Sequence, residues 1–392
     1  MSELLNCKPN KSVTLNDLIC GCIMGGAIGD VLGYPVRCMT YDKIKQKYGD
    51  KGITAFDDTC HFAMISDITK KTLYTANAII REKTKRLLSD TSMGLQHYIR
   101  RAYDNFVSAL DAKKENLLQV PEKLCWIYNV SAFRSARGLE ETDLKTHTEK
   151  ENINNSKYCA GLPFAAPTGC FFGALGKPYD ASREGAEAAK ITRSYAVEHI
   201  PTAFLSCLIA KIIDYRLSDE SKTLAMLMRE TLEIIKDMFA SEEYCGEFES
   251  IIGKAIEWGL LRKNKPADAE LIKVLGEGKT AQQALAIAVY SALQYPIDLD
   301  KAVVCAANHD GDSVLSAAIA GNIVGAYVGL IKSDVKGEWF TKIEAYDVIL
   351  EVSQDLARIA LAKDFSDIRE AKWYSKYFYC TYMMGRTSHE KY

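Results

Sequence analysis

The sequence predicts an all-α, single-domain helical bundle, and three observations carry that expectation. Apolar residues recur at helical spacing over 72–87, 203–215, 224–238, 281–293 and 343–362. No run alternates apolar and polar residues as a half-buried strand would. Two stripes of small residues repeat every fourth position: Gly21, Gly25, Gly29 and Gly33, then Ala317, Gly321, Gly325 and Gly329. On a helix that spacing clears one face of side chains and lets a second helix approach closely. Both striped helices are expected at the centre of the bundle.

In chain order, residues 1–17 form a polar N-terminal extension, with Thr14, Asn16 and Asp17 as candidate caps for the first helix. The stretch 18–36 is apolar enough to suggest a membrane span, which needs about 20 apolar residues. It is rich in glycine, holds Asp30 and ends at Pro35, so a buried helix of the bundle is expected instead. No linker divides 18–363, which reads as one domain. The charged, Asn-rich segment 138–157 reads as an exposed loop, and 259–278 as a loop with a short surface helix. The remaining segment, 364–392, is an aromatic-rich tail carrying Trp373, Tyr374, Tyr377, Phe378, Tyr379 and Tyr382. Such a tail is expected to dock on the body or on a partner.

Composition narrows the function classes. The net charge is -2, so no global basic field draws nucleic acid. The 12 cysteines show no CxxC pair and no metal-ligand rhythm, and no secretory leader opens the chain. Reduced thiols, and hence a cytoplasmic location, are expected. Walker A and GxGxxG loops are absent, and His309 has no Ser or Cys partner that the sequence reveals.

Two polar loops carry what chemistry there is. The early one runs Ile65-Ser66-Asp67-Ile68-Thr69-Lys70-Lys71-Thr72-Leu73, and the late one Ala306-Ala307-Asn308-His309-Asp310-Gly311-Asp312-Ser313-Val314-Leu315-Ser316-Ala317. Each opens with carboxylates of the kind that hold a hard cation, then turns apolar where further oxygens would be needed. Ser66 and Asp67 are also good caps for a helix from Thr69, and Asp310, Asp312 and Ser313 for the helix through Gly329. Lys70 and Lys71 read as a solvated pair or an anion-attracting edge.

Over roughly 18–357 the chain resembles the ADP-ribosylglycohydrolase family, which includes the hydrolase that reactivates dinitrogen reductase. Family members carry Ser/Thr-Asp-Asp-Thr early and Gly-Asp-Ser-Asp-Ser-Thr-Gly late. Further likeness lies in Gly25-Gly26-Ala27-Ile28-Gly29-Asp30-Val31-Leu32-Gly33, in Ala166-Pro167-Thr168-Gly169 and in the stretch 284–329. The resemblance implies an all-α fold in which both loops meet at a two-metal Mg²⁺ centre. Carried over by position, its ligands fall on Ser66, Asp67 and Ile68, and on Asp312, Val314 and Leu315. Ile68, Val314 and Leu315 offer no oxygen, so the metal set is vestigial: Ser66, Asp67 and Asp312. Arg37 stands where the family usually has Glu, so no catalytic residue is assigned. It reads either as a cation beside the vacated site or as a surface residue. The family's Met-Arg pair becomes Pro163-Phe164, and its Thr-His pair falls on Thr192-Arg193 or nearer His199, with no role assigned.

The implied function is a pseudoenzyme without a cofactor, binding through Arg37, Ser66, Asp67, Asp310, Asp312 and Ser313. Its target would be ADP-ribose, an ADP-ribosylated protein, or an ADP-ribosyltransferase, the last as an immunity protein. The alternatives are an active hydrolase with a single, weakly held Mg²⁺, and reuse of the scaffold for assembly. No nucleic-acid or membrane partner is expected.

Overall fold

The computed structural model describes residues 13–57, 63–89, 92–110, 125–137, 161–192, 196–218, 221–261, 268–330 and 337–382. Among them the structure is helical throughout, with two isolated bridges, Met39 to Gly311 and Ala63 to Ile343, in place of any strand. The expected all-α bundle is what forms. The predicted loop at 138–157 lies outside the described residues.

Helix α1 (Leu15–Gly33) opens on a capping box. The Asp17 amide donates to Thr14 Oγ1 at 3.2 Å, and the Thr14 amide donates to Asp17 Oδ2 at 2.9 Å. Its partner is α13 (Ser313–Val328), and the two small-residue stripes form a single antiparallel seam. A Cβ placed on Gly21 would lie 2.4 Å from the Gly325 carbonyl oxygen. The same construction on Gly25 meets Gly321 O at 2.3 Å, on Gly29 meets Ala317 O at 2.0 Å, and on Gly33 meets Ser313 O at 2.6 Å. Backbone therefore lies on backbone along four turns. Asn322 closes the seam from one side by donating to the Cys22 carbonyl at 2.8 Å.

Around this pair stand α3 (Asp67–Ser89), α5 (Ala165–Ala174), α7 (Ala196–Leu217), α12 (Leu299–Ala307) and α15 (Tyr346–Leu361), which surround α1 on its other faces. The 22 residues from Leu15 to Val36 are long and apolar enough to cross a membrane, and 89% of that apolar window is buried inside the bundle. Helix α11 (Ala281–Gln294), buried along most of its length, packs on α13, and an outer set consists of α4 (Leu95–Leu110) on α3, α6 (Pro178–Ala189) and α8 (Leu224–Met238) on α7, and α9 (Cys245–Gly259) and α10 (Asp268–Leu275) on α11. Helix α10 is the short helix expected within 259–278.

The aromatic tail folds onto the body. In α16 (Ala371–Tyr377), Trp373 Nε1 donates to Thr84 Oγ1 at 3.1 Å, and Arg81 Nε donates to the Tyr377 carbonyl at 3.3 Å. Lys376 is buried between the carboxylates of Glu351, at 2.6 Å, and Asp355. The rings of Trp126, Tyr377 and Tyr382 lie 5.4 to 5.6 Å from its ammonium.

Candidate functional site

The last turn of α1 is the meeting point of both polar loops. On one side Asp30 projects from α1 to the start of α3. Its Oδ2 accepts from the Ser66 amide at 2.9 Å, the Thr69 amide at 3.3 Å and Thr69 Oγ1 at 2.5 Å. Asp30 is fully buried, and burial raises its pKa while these donors pull it down. A carboxylate on a neighbouring helix thus supplements the N-terminal cap that Ser66 gives by accepting from the Ile68 amide at 3.1 Å. Helix α3 consequently starts at Asp67, earlier than Thr69.

Asp67 sits in a buried ionic cluster. The Lys70 ammonium lies 3.2 Å from Asp67 Oδ1 and donates to the Ser135 carbonyl. Asp67 Oδ2 accepts from the Arg137 amide at 2.7 Å, and the Asp67 amide donates back to the Arg137 carbonyl at 3.0 Å. The Arg137 guanidinium engages both oxygens of Glu344, one at 3.0 Å, and donates to the Ile65 carbonyl at 3.3 Å. Glu344 follows α14 (Gly337–Lys342), and its amide donates to the Ala63 carbonyl at 3.0 Å. The cluster therefore fastens the early loop to two remote segments. Burial lowers the Lys70 pKa, with Asp67 opposing.

On the other side, Gly33 abuts Ser313 and Val314, and the chain beyond α1 pairs with the late loop. The Cys38 amide donates to the Gly311 carbonyl at 2.8 Å, and the Gly311 amide to the Met39 carbonyl at 3.1 Å. This brings Arg37 Nε within 3.6 Å of Asp312 Oδ2, with the two side chains 27% and 18% exposed. Asp312 Oδ1 caps α13, accepting from the Val314 amide at 3.3 Å. Gly311 has φ +99°, and a Cβ there would lie 2.1 Å from the Glu277 carbonyl, so the turn admits only glycine.

The expected binding residues divide accordingly. Arg37 and Asp312 pair with each other, while Ser66 and Asp67 stand together at the start of α3. Asp310 does not cap the helix through Gly329. Its Oδ1 accepts from the Tyr41 amide at 2.7 Å, at the start of α2 (Tyr41–Tyr48), because the bridge at Gly311 turns it that way. Ser313 does not cap either: it is the first residue of α13, and its buried hydroxyl has no hydrogen-bond partner among the described residues. Ile68 packs against the core, and Val314 and Leu315 are buried.

Two expectations need correction. Lys70 and Lys71 are not a solvated pair: Lys70 is fully buried against Asp67, and Lys71 lies 5.9 and 5.8 Å from the Tyr103 and Phe106 rings. Nor is His309 without a serine partner. Ser316, one turn into α13, lies 2.8 Å from Nε2. Both are buried, so this pair braces the loop and leaves no exposed nucleophile. Thr192 ends a turn by donating to the Ala189 carbonyl at 2.9 Å, and Arg193 lies outside the described residues. Arg137 and Glu344, which complete the Asp67 cluster, gave no signal in the sequence, since 207 residues separate them.

A family model described as ADP-ribosylglycohydrolase matches residues 11–367. Among solved structures, one described as an ADP-ribosylglycohydrolase-related protein complex superposes with a TM-score of 0.54, covering 88% of this chain and 99% of that one. The two are 16% identical, a level at which the likeness shows the fold. No match is found among curated proteins.

Proposed function

The chain belongs to the ADP-ribosylglycohydrolase family, and from that premise we propose a member that acts by binding rather than by metal-dependent hydrolysis. One observation carries the reading: each surviving carboxylate of the carried-over metal set is held by a cation of the chain itself. Asp67 holds Lys70, and Asp312 holds Arg37. A pair of Mg²⁺ ions needs near-octahedral oxygen ligands at about 2.0–2.1 Å. The residues present do not fit that pair. Ile68, Val314 and Leu315 contribute no oxygen, and the other Asp67 oxygen accepts from the Arg137 amide. Among the described residues no three His, Cys, Asp or Glu side chains gather to hold a metal.

The ligand that suits this arrangement is the ADP-ribose group, free or on a protein. Arg37 is partly exposed beside Asp312 of the late loop, and a guanidinium is suited to bidentate contact with phosphate. Calorimetric titration with ADP-ribose tests the reading on the wild type and on Arg37→Glu. We expect measurable binding by the wild type and a loss of about 1.5–3 kcal/mol in the variant, the range for hydrogen bonds to charged groups. In a parallel assay, ADP-ribosyl-arginine and ADP-ribosyl-serine should not be cleaved. Mg²⁺-stimulated release of ADP-ribose would establish the hydrolase instead. Absence of binding in both proteins would shift the reading toward recognition of an ADP-ribosyltransferase by the outer surface.

A further inference from the structure

The Lys70 ammonium has the environment of a bound cation. Its contacts are oxygens, one from the Asp67 carboxylate and one from the Ser135 carbonyl, the donor types that hard cations take. Asp67 is 6% exposed at its side chain and Lys70 not at all. Carboxylates and ammonium groups are almost never buried so deeply unless paired. By contrast Arg37 and Asp312 are farther apart and partly solvated, so their pair is the weaker of the two.

We propose that Lys70 is a tethered substitute for a metal ion at Asp67, and that this fixed cation holds the early loop closed onto Ser135 and Arg137. The inference deepens the metal-free reading above and rests on it. An ion approaching Asp67 Oδ1 would have to displace an ammonium that cannot diffuse away. Neutralisation of Asp67 is thereby written into the chain and becomes independent of the divalent ions in solution. Arg137 then extends the ionic bracing to Glu344, so the tethered charge also governs where the segment after α14 attaches.

Thermal melting decides the matter without any nucleotide or substrate, so it stands apart from the binding assay. Lys70→Ala removes the ammonium from beside Asp67 Oδ1 and leaves a space there, while Oδ2 keeps the Arg137 amide. Its melting temperature should fall below that of the wild type. Millimolar propylammonium or Mg²⁺ should then raise it by on the order of a few degrees. The same salts should leave the wild type unmoved beyond the ionic-strength effect seen in Lys190→Ala, which removes an exposed lysine paired with Glu187. Equal response of Lys70→Ala and wild type to both cations would overturn the proposal. So would stabilisation of the wild type by Mg²⁺ to the extent seen in the variant. Should Lys70→Ala fail to fold, the double variant Asp67→Asn, Lys70→Met removes both charges at once. It should melt higher than Lys70→Met alone, and a melting temperature no higher would overturn the proposal equally.

Discussion

His309 is kept neutral by its surroundings. Its Nδ1 donates to the Asp310 carbonyl at 2.7 Å, which leaves Nε2 to accept from the Ser316 hydroxyl at 2.8 Å. Burial lowers its pKa below the ordinary 6.5, against the pull of Asp310 and Asp312. The unfolded chain therefore binds a proton there that the folded chain refuses. Stability from this residue rises with pH between the lowered value and about 6.5, and is lost as the pH falls through that window. His309→Gln should flatten the dependence of melting temperature on pH below about 6.5; an unchanged slope would assign the dependence to other groups. Such behaviour was only partly legible in the sequence. Asp30 could be picked out as a lone charge on an apolar helix. The burial of Lys70 could not, since a lysine beside a second lysine on a helix is ordinarily solvated. What reverses that expectation is its pairing with Asp67 and with the Ser135 carbonyl, the latter brought in from far along the chain.

Among the helices, the spacing of small residues was the most informative signal, because a backbone contact leaves little latitude in what can occupy it. Gly25→Ala would drive a methyl to 2.3 Å from the Gly321 carbonyl. Overpacking of this kind costs about 1–3 kcal/mol where side chains can yield, and backbone yields less. The counterpart Gly253→Ala in α9 meets nothing within 4 Å and should stabilise by about 0.5–1 kcal/mol through helix propensity. Urea denaturation of the two variants tests this contrast, and a harmless Gly25→Ala would mean that the seam can open. Helix ends were less legible than helix cores. Helix α8 spans the 224–238 expected from its apolar pattern, with Thr223 accepting from the Met226 amide at its start. Helix α15 starts at Tyr346 rather than 343, because Ile343 bridges to Ala63 and Ala345 takes a left-handed φ of 56°. Helix α7 begins at Ala196, ahead of the expected 203, and accommodates Pro201 within its interior. Proline beyond a first turn usually marks a helix boundary, yet this helix continues through it.

At the scale of the whole molecule the tail acts as a clasp between distant parts of the chain. Lys376 joins Glu351 and Asp355 of α15, and Tyr377 donates to Asp355 Oδ2 at 2.6 Å. Lys376→Ala removes the buried ammonium, while Glu351 keeps Lys372 and Asp355 keeps the Tyr377 hydroxyl, and should cost about 1–3 kcal/mol, measurable by denaturant unfolding. A loss within the range of an exposed ion pair would show that the tail rests on the body without securing it. The central seam has a different consequence, for synthesis rather than for stability. The surface that covers the glycine face of α1, helix α13, leaves the ribosome about 300 residues after it. At roughly 5–20 residues per second, that interval lasts some 15–60 s. Throughout it α1, a helix as apolar as a membrane span, has its glycine face uncovered. Chaperones and targeting factors that scan emerging chains for such segments therefore have their best opportunity at the first helix, and the glycine seam sets how long it lasts.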